Sequence, residues 1–283
     1  MRKIIGEFEI NEEKAEKIAE ILLDLHKQGH PLVSMPEYNL PRNLIAGSRE
    51  HALYLTYVIS IDYMTGAEKL WRKARGAYEL YPERFTPRKI LAVSERSLSV
   101  FLRRLGARYP KSAAKTWKKI SKILIEKYDG DPRNITVQPL TVEEIKDKLN
   151  DFPYLRGSKL ANFYIRAMGE TGLFKVSNLN DLDIPVDKQV ARFTIYTGVL
   201  RFLGEKFQGC CNDDPLKSII QEVWRTAAKK FGASPWKLDE PMWNIGSKLC
   251  TGRKCGQCPV KTFCDKTRGI KFRGNILFWE RRG

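Results

Sequence analysis

No stretch of this sequence approaches the roughly 18 uninterrupted apolar residues that a membrane span requires, and the opening MRKIIGEFEI turns polar too soon for a secretory signal. Internal repeats and low-complexity tracts are also missing, and no convincing β-sheet pattern shows beyond short strands at the N-terminus. A membrane-spanning, exported or wholly disordered chain is thereby set aside, and the protein reads as cytoplasmic. Acidic residues are scarce, 33 Asp and Glu against 50 Lys and Arg, which leaves a formal net charge of +17 on 283 residues. Such an excess asks for a polyanionic partner, nucleic acid first. Histidine is scarcer still, with three in the chain and none near the cysteines. What is present suffices for real cores: 42% of the residues are hydrophobic and 11% aromatic, enough for one large domain or two ordinary ones.

The charge is concentrated. Between residues 101 and 130 nine basic side chains face two acidic ones, and between 246 and 283 ten face two, giving +7 and +8 and leaving the rest of the chain near neutral. In the first segment Lys111, Lys115, Lys118, Lys119 and Lys122 recur at helical steps, with Ala113, Trp117, Ile120 and Leu124 in the opposite phase. One helix therefore carries a lysine face, either a phosphate-binding surface or a solvated one.

Apolar spacing predicts helices over 12–28, 52–63, 67–81 and 87–105, then the lysine-faced helix to about 130. Further helices follow over 141–152, 159–168, 187–203, 219–231 and 242–250. Ser48, Ser158 and Asp187 read as caps, and Thr141 with Glu144 forms a capping box. The fold class is all-α.

Six cysteines in a non-exported chain point to metals or redox chemistry rather than disulfides. Cys250, Cys255, Cys258 and Cys264 read C-x4-C-x2-C-x5-C, so a metal there would be held by four thiolates. One short loop suits a [4Fe-4S] cluster better than zinc, which usually takes two separated C-x2-C knuckles; zinc and free thiols remain the alternatives. Arg253, Lys254 and Lys261 lie in that loop with no acid between the first and last cysteine, making a cationic knuckle fit for phosphate. Adjacent Cys210 and Cys211 read as buried or incidental.

The stretch EIKDKLNDFPYLRGSKLANFYIRAMG predicts two helices joined by a turn that ends in Gly157. Backbone N–H groups at such a turn suit a phosphate, which makes Arg156, Gly157 and Ser158 DNA-binding candidates together with Lys111 and Lys115. Lys159 sits in the first turn of its helix, where the dipole disfavours a cation, a setting that suits a nucleophilic amine as well as it describes an exposed helix start. Asp187, after Ile184-Pro185-Val186, caps a helix with Val186 as its hydrophobic staple; the same carboxylate could stabilise positive charge developing on a sugar.

In order along the chain, Gly157-Ser158-Lys159-Leu160-Ala161-Asn162, Val186-Asp187-Lys188-Gln189-Val190-Ala191-Arg192 and the cysteine cluster after Trp243-Asn244-Ile245-Gly246-Ser247-Lys248-Leu249 resemble motifs of the helix–hairpin–helix DNA glycosylase superfamily, most closely the endonuclease III branch. The resemblance spans roughly residues 50–268. It implies two helical domains flanking a DNA-binding cleft: a six-helix domain over 49–183 with the helix–hairpin–helix, and a discontinuous one over 1–48 and 184–283 with the cluster. It further implies a monomeric base-excision-repair glycosylase acting on double-stranded DNA that contains a damaged base or an abasic site. Lys159 would be the Schiff-base nucleophile, Asp187 the catalytic carboxylate, and β-elimination would give AP lyase activity; Lys188 is the rival nucleophile. A non-catalytic iron–sulfur or zinc DNA-binding protein on the same scaffold is the alternative. The chain departs from the family pattern where Tyr154 stands in place of the first hairpin glycine, in a turn one residue longer. It departs again where Asp62 stands for a glutamine near the DNA gap. Tyr63, Tyr154 and Trp236 are candidates for base stacking or for the core.

Overall fold

A computed structural model describes residues 2–62 and 65–281, with the side chain of Ser158 excepted; Tyr63 and the end of the helix expected over 52–63 lie outside the described residues. In chain order the elements are β1 (Arg2–Ile5), β2 (Phe8–Asn11), α1 (Glu12–Lys27), α2 (Arg49–Ile59), α3 (Ala67–Leu80), α4 (Pro87–Ala92), α5 (Glu95–Leu105), α6 (Pro110–Tyr128), α7 (Val142–Leu149) and α8 (Ser158–Glu170). They continue with α9 (Lys188–Tyr196), β3 (Leu200–Phe202), β4 (Lys206–Cys210), α10 (Leu216–Lys229), α11 (Asp239–Asn244), β5 (Ile270–Arg273) and β6 (Ile276–Glu280). Backbone proximity divides the chain into two compact units, Met1–Met35 with Asn180–Gly283 and Pro36–Leu179. Among the described residues no helix is long and apolar enough to cross a membrane.

The Pro36–Leu179 unit is helical and is built around α2. Every residue from His51 to Ile59 is buried, as expected of a helix that is apolar on all sides and therefore central. Trp117 of α6 packs on Tyr57 and donates from Nε1 to the Tyr57 carbonyl at 3.0 Å, and the Tyr57 hydroxyl pairs with Ser121 at 2.7 Å. The Trp117 indole and the Tyr57 hydroxyl are thus satisfied inside this core, as buried polar groups require. Burial pushes the His51 ring down to about 4, so it is neutral at physiological pH.

The other unit combines α1, α9, α10 and α11 with two three-stranded antiparallel sheets, ordered β1-β2-β3 and β4-β6-β5. The fold is mostly helical, as expected, with β1 and β2 as the short N-terminal strands; β3 and the β4-β6-β5 sheet are additions the sequence did not reveal. Each strand is three to five residues long, too short for a two-residue period to stand out, and β4 finds its partner β6 some seventy positions later. The helix expected over 187–203 ends at Tyr196 for the same reason: Leu200 and Phe202 are taken by pairing with Ile10 and Phe8. Gly198 makes the exit, with φ of +74° and no room for a side chain, since a Cβ there would meet the Asp265 carboxylate at 1.9 Å. The helix expected over 87–105 is two helices, because Ser94 leaves the helical region and its hydroxyl accepts from the Ser97 N–H at 3.2 Å. Ser158 is the first residue of α8 rather than its cap, a position held by Gly157.

Candidate nucleic-acid interface and catalytic residues

The hairpin is assembled from local signals. Thr141 accepts from the Glu144 N–H at 3.2 Å while the Glu144 carboxylate accepts from the Thr141 N–H at 2.8 Å, the reciprocal box that starts α7. Phe152 and Leu155, fully buried, anchor the turn, which closes through Phe152 N–H to Leu149 O at 2.9 Å and Gly157 N–H to Tyr154 O at 3.1 Å. Tyr154 adopts φ of +66°, a left-handed conformation that costs an L-residue about 1 kcal/mol and costs glycine nothing. The backbone therefore keeps the geometry of the glycine that the resemblance places here, while the side chain stays 37% exposed and its hydroxyl lies 3.1 Å from that of Ser112. Arg156 and Gly157 are exposed beside it.

Lys159 is half-buried at the second position of α8. Asn162, Phe163 and Arg166 follow it at three- and four-residue steps and are all buried, so the amine tops a stripe that runs into the core. At the foot of that stripe the Arg166 guanidinium, 0% exposed, donates to Glu37 at 2.5 Å and to the Tyr38 hydroxyl at 2.8 Å, and lies over the Phe163 ring at 5.3 Å. Burial holds the Glu37 carboxyl above its ordinary range, against the opposing pull of Arg166. Sequence reasoning missed this pair, although an arginine seven residues after the lysine on one helical face was its visible half.

In the other unit Leu182, Ile184 and Val186 are buried at alternate positions, and Asp183 between them accepts two bonds from Arg225 of α10 at 2.8 and 2.6 Å. This tether delivers Asp187 to the start of α9. There it is 6% exposed, and its Oδ1 accepts from the N–H groups of Gln189 at 2.7 Å and Val190 at 3.2 Å. Capping on one oxygen fixes the carboxylate in place. Lys188 beside it is half-buried.

α9 also braces the cysteine loop. A Cβ on Gly246 would meet the Gln189 carbonyl at 2.4 Å, and Arg192 donates to Gly246 O at 3.3 Å and Thr251 Oγ1 at 3.0 Å. That close approach divides the helix expected over 242–250 into α11 and a wide π-helical turn, Ile245–Cys250. Cys258 is buried and Cys250, Cys255 and Cys264 are half-buried. The Cys250 thiol is pushed up to about 12 by burial and by Cys258, Cys264 and Cys255 around it, and the Cys258 and Cys264 thiols are raised as well. Cys264 also receives the Lys266 N–H at 3.4 Å. Burial and neighbouring thiols make Cys250, Cys258 and Cys264 costly to charge unaided. In this structure no group of three or more His, Cys, Asp or Glu among the described residues is spaced to hold a metal ion. Arg253, Lys254 and Lys261 are exposed on the loop. Cys211 is fully buried and Cys210 donates to Asn212, outside this loop.

The lysine face of α6 is divided. Lys111, Lys115 and Lys119 are exposed, whereas Lys118 donates to the Leu91 carbonyl at 3.0 Å and Lys122 and Lys127 meet Glu126 and Asp151. Asp62 accepts from Thr65 at 2.9 Å and from the Trp71 indole at 3.0 Å, so its carboxylate braces the start of α3. Trp236 is 7% exposed and belongs to the core.

α7, the turn over 150–157 and α8 form a helix–hairpin–helix. The family model described as "AGOG: N-glycosylase/DNA lyase" matches residues 157–271. Three solved structures are similar in fold: an endonuclease III trapped as a covalent intermediate with DNA (19% identity, TM-score 0.56, 89% of this chain and 96% of that one), a thermostable thymine-DNA glycosylase (15%, 0.56, 90% and 96%) and the 8-oxoguanine DNA glycosylase of Thermotoga maritima (19%, 0.53, 83% and 97%). A search of curated proteins found no match. The likeness to these three structures is one of fold, and the family model covers the C-terminal part of the chain, residues 157–271.

Proposed function

We propose that this protein is a base-excision-repair DNA glycosylase with AP lyase activity, in which Lys159 is the nucleophile and Asp187 the carboxylate that stabilises the reacting sugar. The observation that carries the reading is that the segment matched by the N-glycosylase/DNA lyase family, 157–271, contains Lys159, Asp187 and all four loop cysteines. A damaged nucleotide is turned out of the duplex, which exposes its anomeric carbon and gives some selectivity for weakly paired bases. The neutral Lys159 amine forms a bond to C1′ as the bond from C1′ to the base breaks; the base leaves with that electron pair and takes up a proton. Ring opening yields an imine, and loss of a C2′ proton expels the 3′ phosphate by β-elimination. Asp187 opposes the positive charge that builds on the sugar and relays protons. Lys111, Lys115, Arg156, Gly157, the Ser158 backbone, Arg253, Lys254 and Lys261 are assigned to phosphate contacts.

Asp187→Asn separates catalysis from folding, since Asn caps a helix about as well as Asp. Base release from single-lesion duplexes is expected to fall by about a hundredfold or more, with the melting temperature little changed. Excision at the wild-type rate would remove Asp187 from the mechanism, and failure to release any base from a panel of oxidised and deaminated lesions would overturn the enzyme reading.

Cys250, Cys255, Cys258 and Cys264 would hold the [4Fe-4S] cluster that the resemblance implies, and its part would be to fix the basic loop rather than to react. Protein purified without oxygen is then expected to be brown, absorbing near 400 nm, with Cys258→Ser losing the band; a colourless protein carrying one zinc would assign the loop to zinc instead.

A further inference from the structure

The β4-β6-β5 sheet has an outer face unlike that of an ordinary solvated sheet. Leu277 and Trp279 of the central strand are buried, and Phe207, Ile270 and Phe272 pack against the same core. The alternate positions turn outward. On that side Phe278 is half-buried and Ile276 is 40% exposed, where alternation would place polar residues. The register sets Phe278 between Gln208 of β4 and Lys271 of β5, and Ile276 between Cys210 and Arg273. Gln208, Lys271 and Arg273 are exposed. At one end Glu280 is matched by Lys206 at 3.1 Å, and Asp265, before the sheet, is engaged by Lys14 and Arg201. Glu280 and Asp265 are thus matched, Asp213 stands beside Cys210 of β4, and Lys271 and Arg273 of β5 carry the positive charge beside Phe278 and Ile276.

We propose that this face is a docking platform for a single nucleic-acid strand, with one base stacked on Phe278 and the adjoining phosphates held by Lys271 and Arg273. An aromatic ring on the middle strand of a basic antiparallel sheet offers a flat surface that any unstacked base can cover, while long cationic side chains on the neighbouring strand reach the backbone. Bases stacked within an intact duplex cannot reach such a ring, so the strand is unpaired. The platform is built from elements other than those of the hairpin and Lys159.

Fluorescence anisotropy of the full chain with a short fluorescein-labelled oligothymidylate tests this. Phe278→Ala is expected to weaken binding about tenfold, Phe278→Trp to retain it, and Phe278→Leu, which keeps the apolar cover of the sheet, to fail to restore it. Replacing Lys271 and Arg273 by Gln is expected to flatten the slope of log affinity against log salt by about 1.4, roughly 0.7 for each lost phosphate contact. Equal affinity of the wild type and Phe278→Leu would overturn the proposal. So would an equal dependence on Phe278 when the probe is an undamaged duplex or a fluorescein-labelled polyglutamate. The strand contains neither lesion nor abasic site, so a negative result leaves the excision reading standing, and a failure of excision leaves the platform standing.

Discussion

Borohydride reduction of the protein on a duplex with an abasic site is expected to trap a covalent protein–DNA adduct, and Lys159→Ala is expected to abolish it. A stable adduct requires an amine that forms an imine with the opened sugar, so the assay reads the nucleophile itself rather than overall activity. Lys159 is half-buried at the start of α8, above a stripe of buried side chains that holds its backbone in place. The expected loss is complete at the level of the gel, whereas Lys188→Ala keeps the adduct. An undiminished adduct in Lys159→Ala would remove Lys159 from the chemistry, and its disappearance only in Lys188→Ala would move the role one helix along.

The second large effect is on stability. Arg166→Met is expected to cost about 3–5 kcal/mol, because it leaves the Glu37 carboxylate, 3% exposed, in the core without its countercharge. For a protein of this size that corresponds to a fall of roughly 10 °C in melting temperature. The pH dependence follows from the direction of the Glu37 shift. A carboxyl whose value in the folded state lies above that in the unfolded state binds its proton more tightly when folded, so folding is favoured in acid and disfavoured as the pH rises through the folded value. Loss of Arg166 removes the interaction that opposes burial most strongly, so the deficit is expected to be largest near neutrality and to shrink toward the ordinary carboxylate range. Glu37→Gln combined with Arg166→Met should recover part of it. Thermal melts at neutral and acidic pH measure this; a deficit below about 1 kcal/mol, or one independent of pH, would show that the pair does not carry the stripe beneath Lys159.

The sequence by itself determined what depends on neighbours along the chain. The capping box at Thr141 and Glu144, the caps at Ser48 and Asp187, the fourfold cysteine spacing and the two basic segments all act over a few residues, and the structure has these three caps where the sequence puts them, while the cap expected at Ser158 falls one residue earlier, on Gly157. Tertiary structure decided what depends on close approach between distant segments. Glu37 meets Arg166 across 129 positions, the strands β4 and β6 pair across about seventy, and Gly246 is required by the close approach of the Gln189 carbonyl rather than by any turn readable beside it. Even the left-handed Tyr154 is legible only once the hairpin is closed, because an isolated tyrosine prefers the other side of the map. Short-range rules set helix starts and charge; the entropy of bringing remote chain together is repaid only by packing that no local pattern encodes.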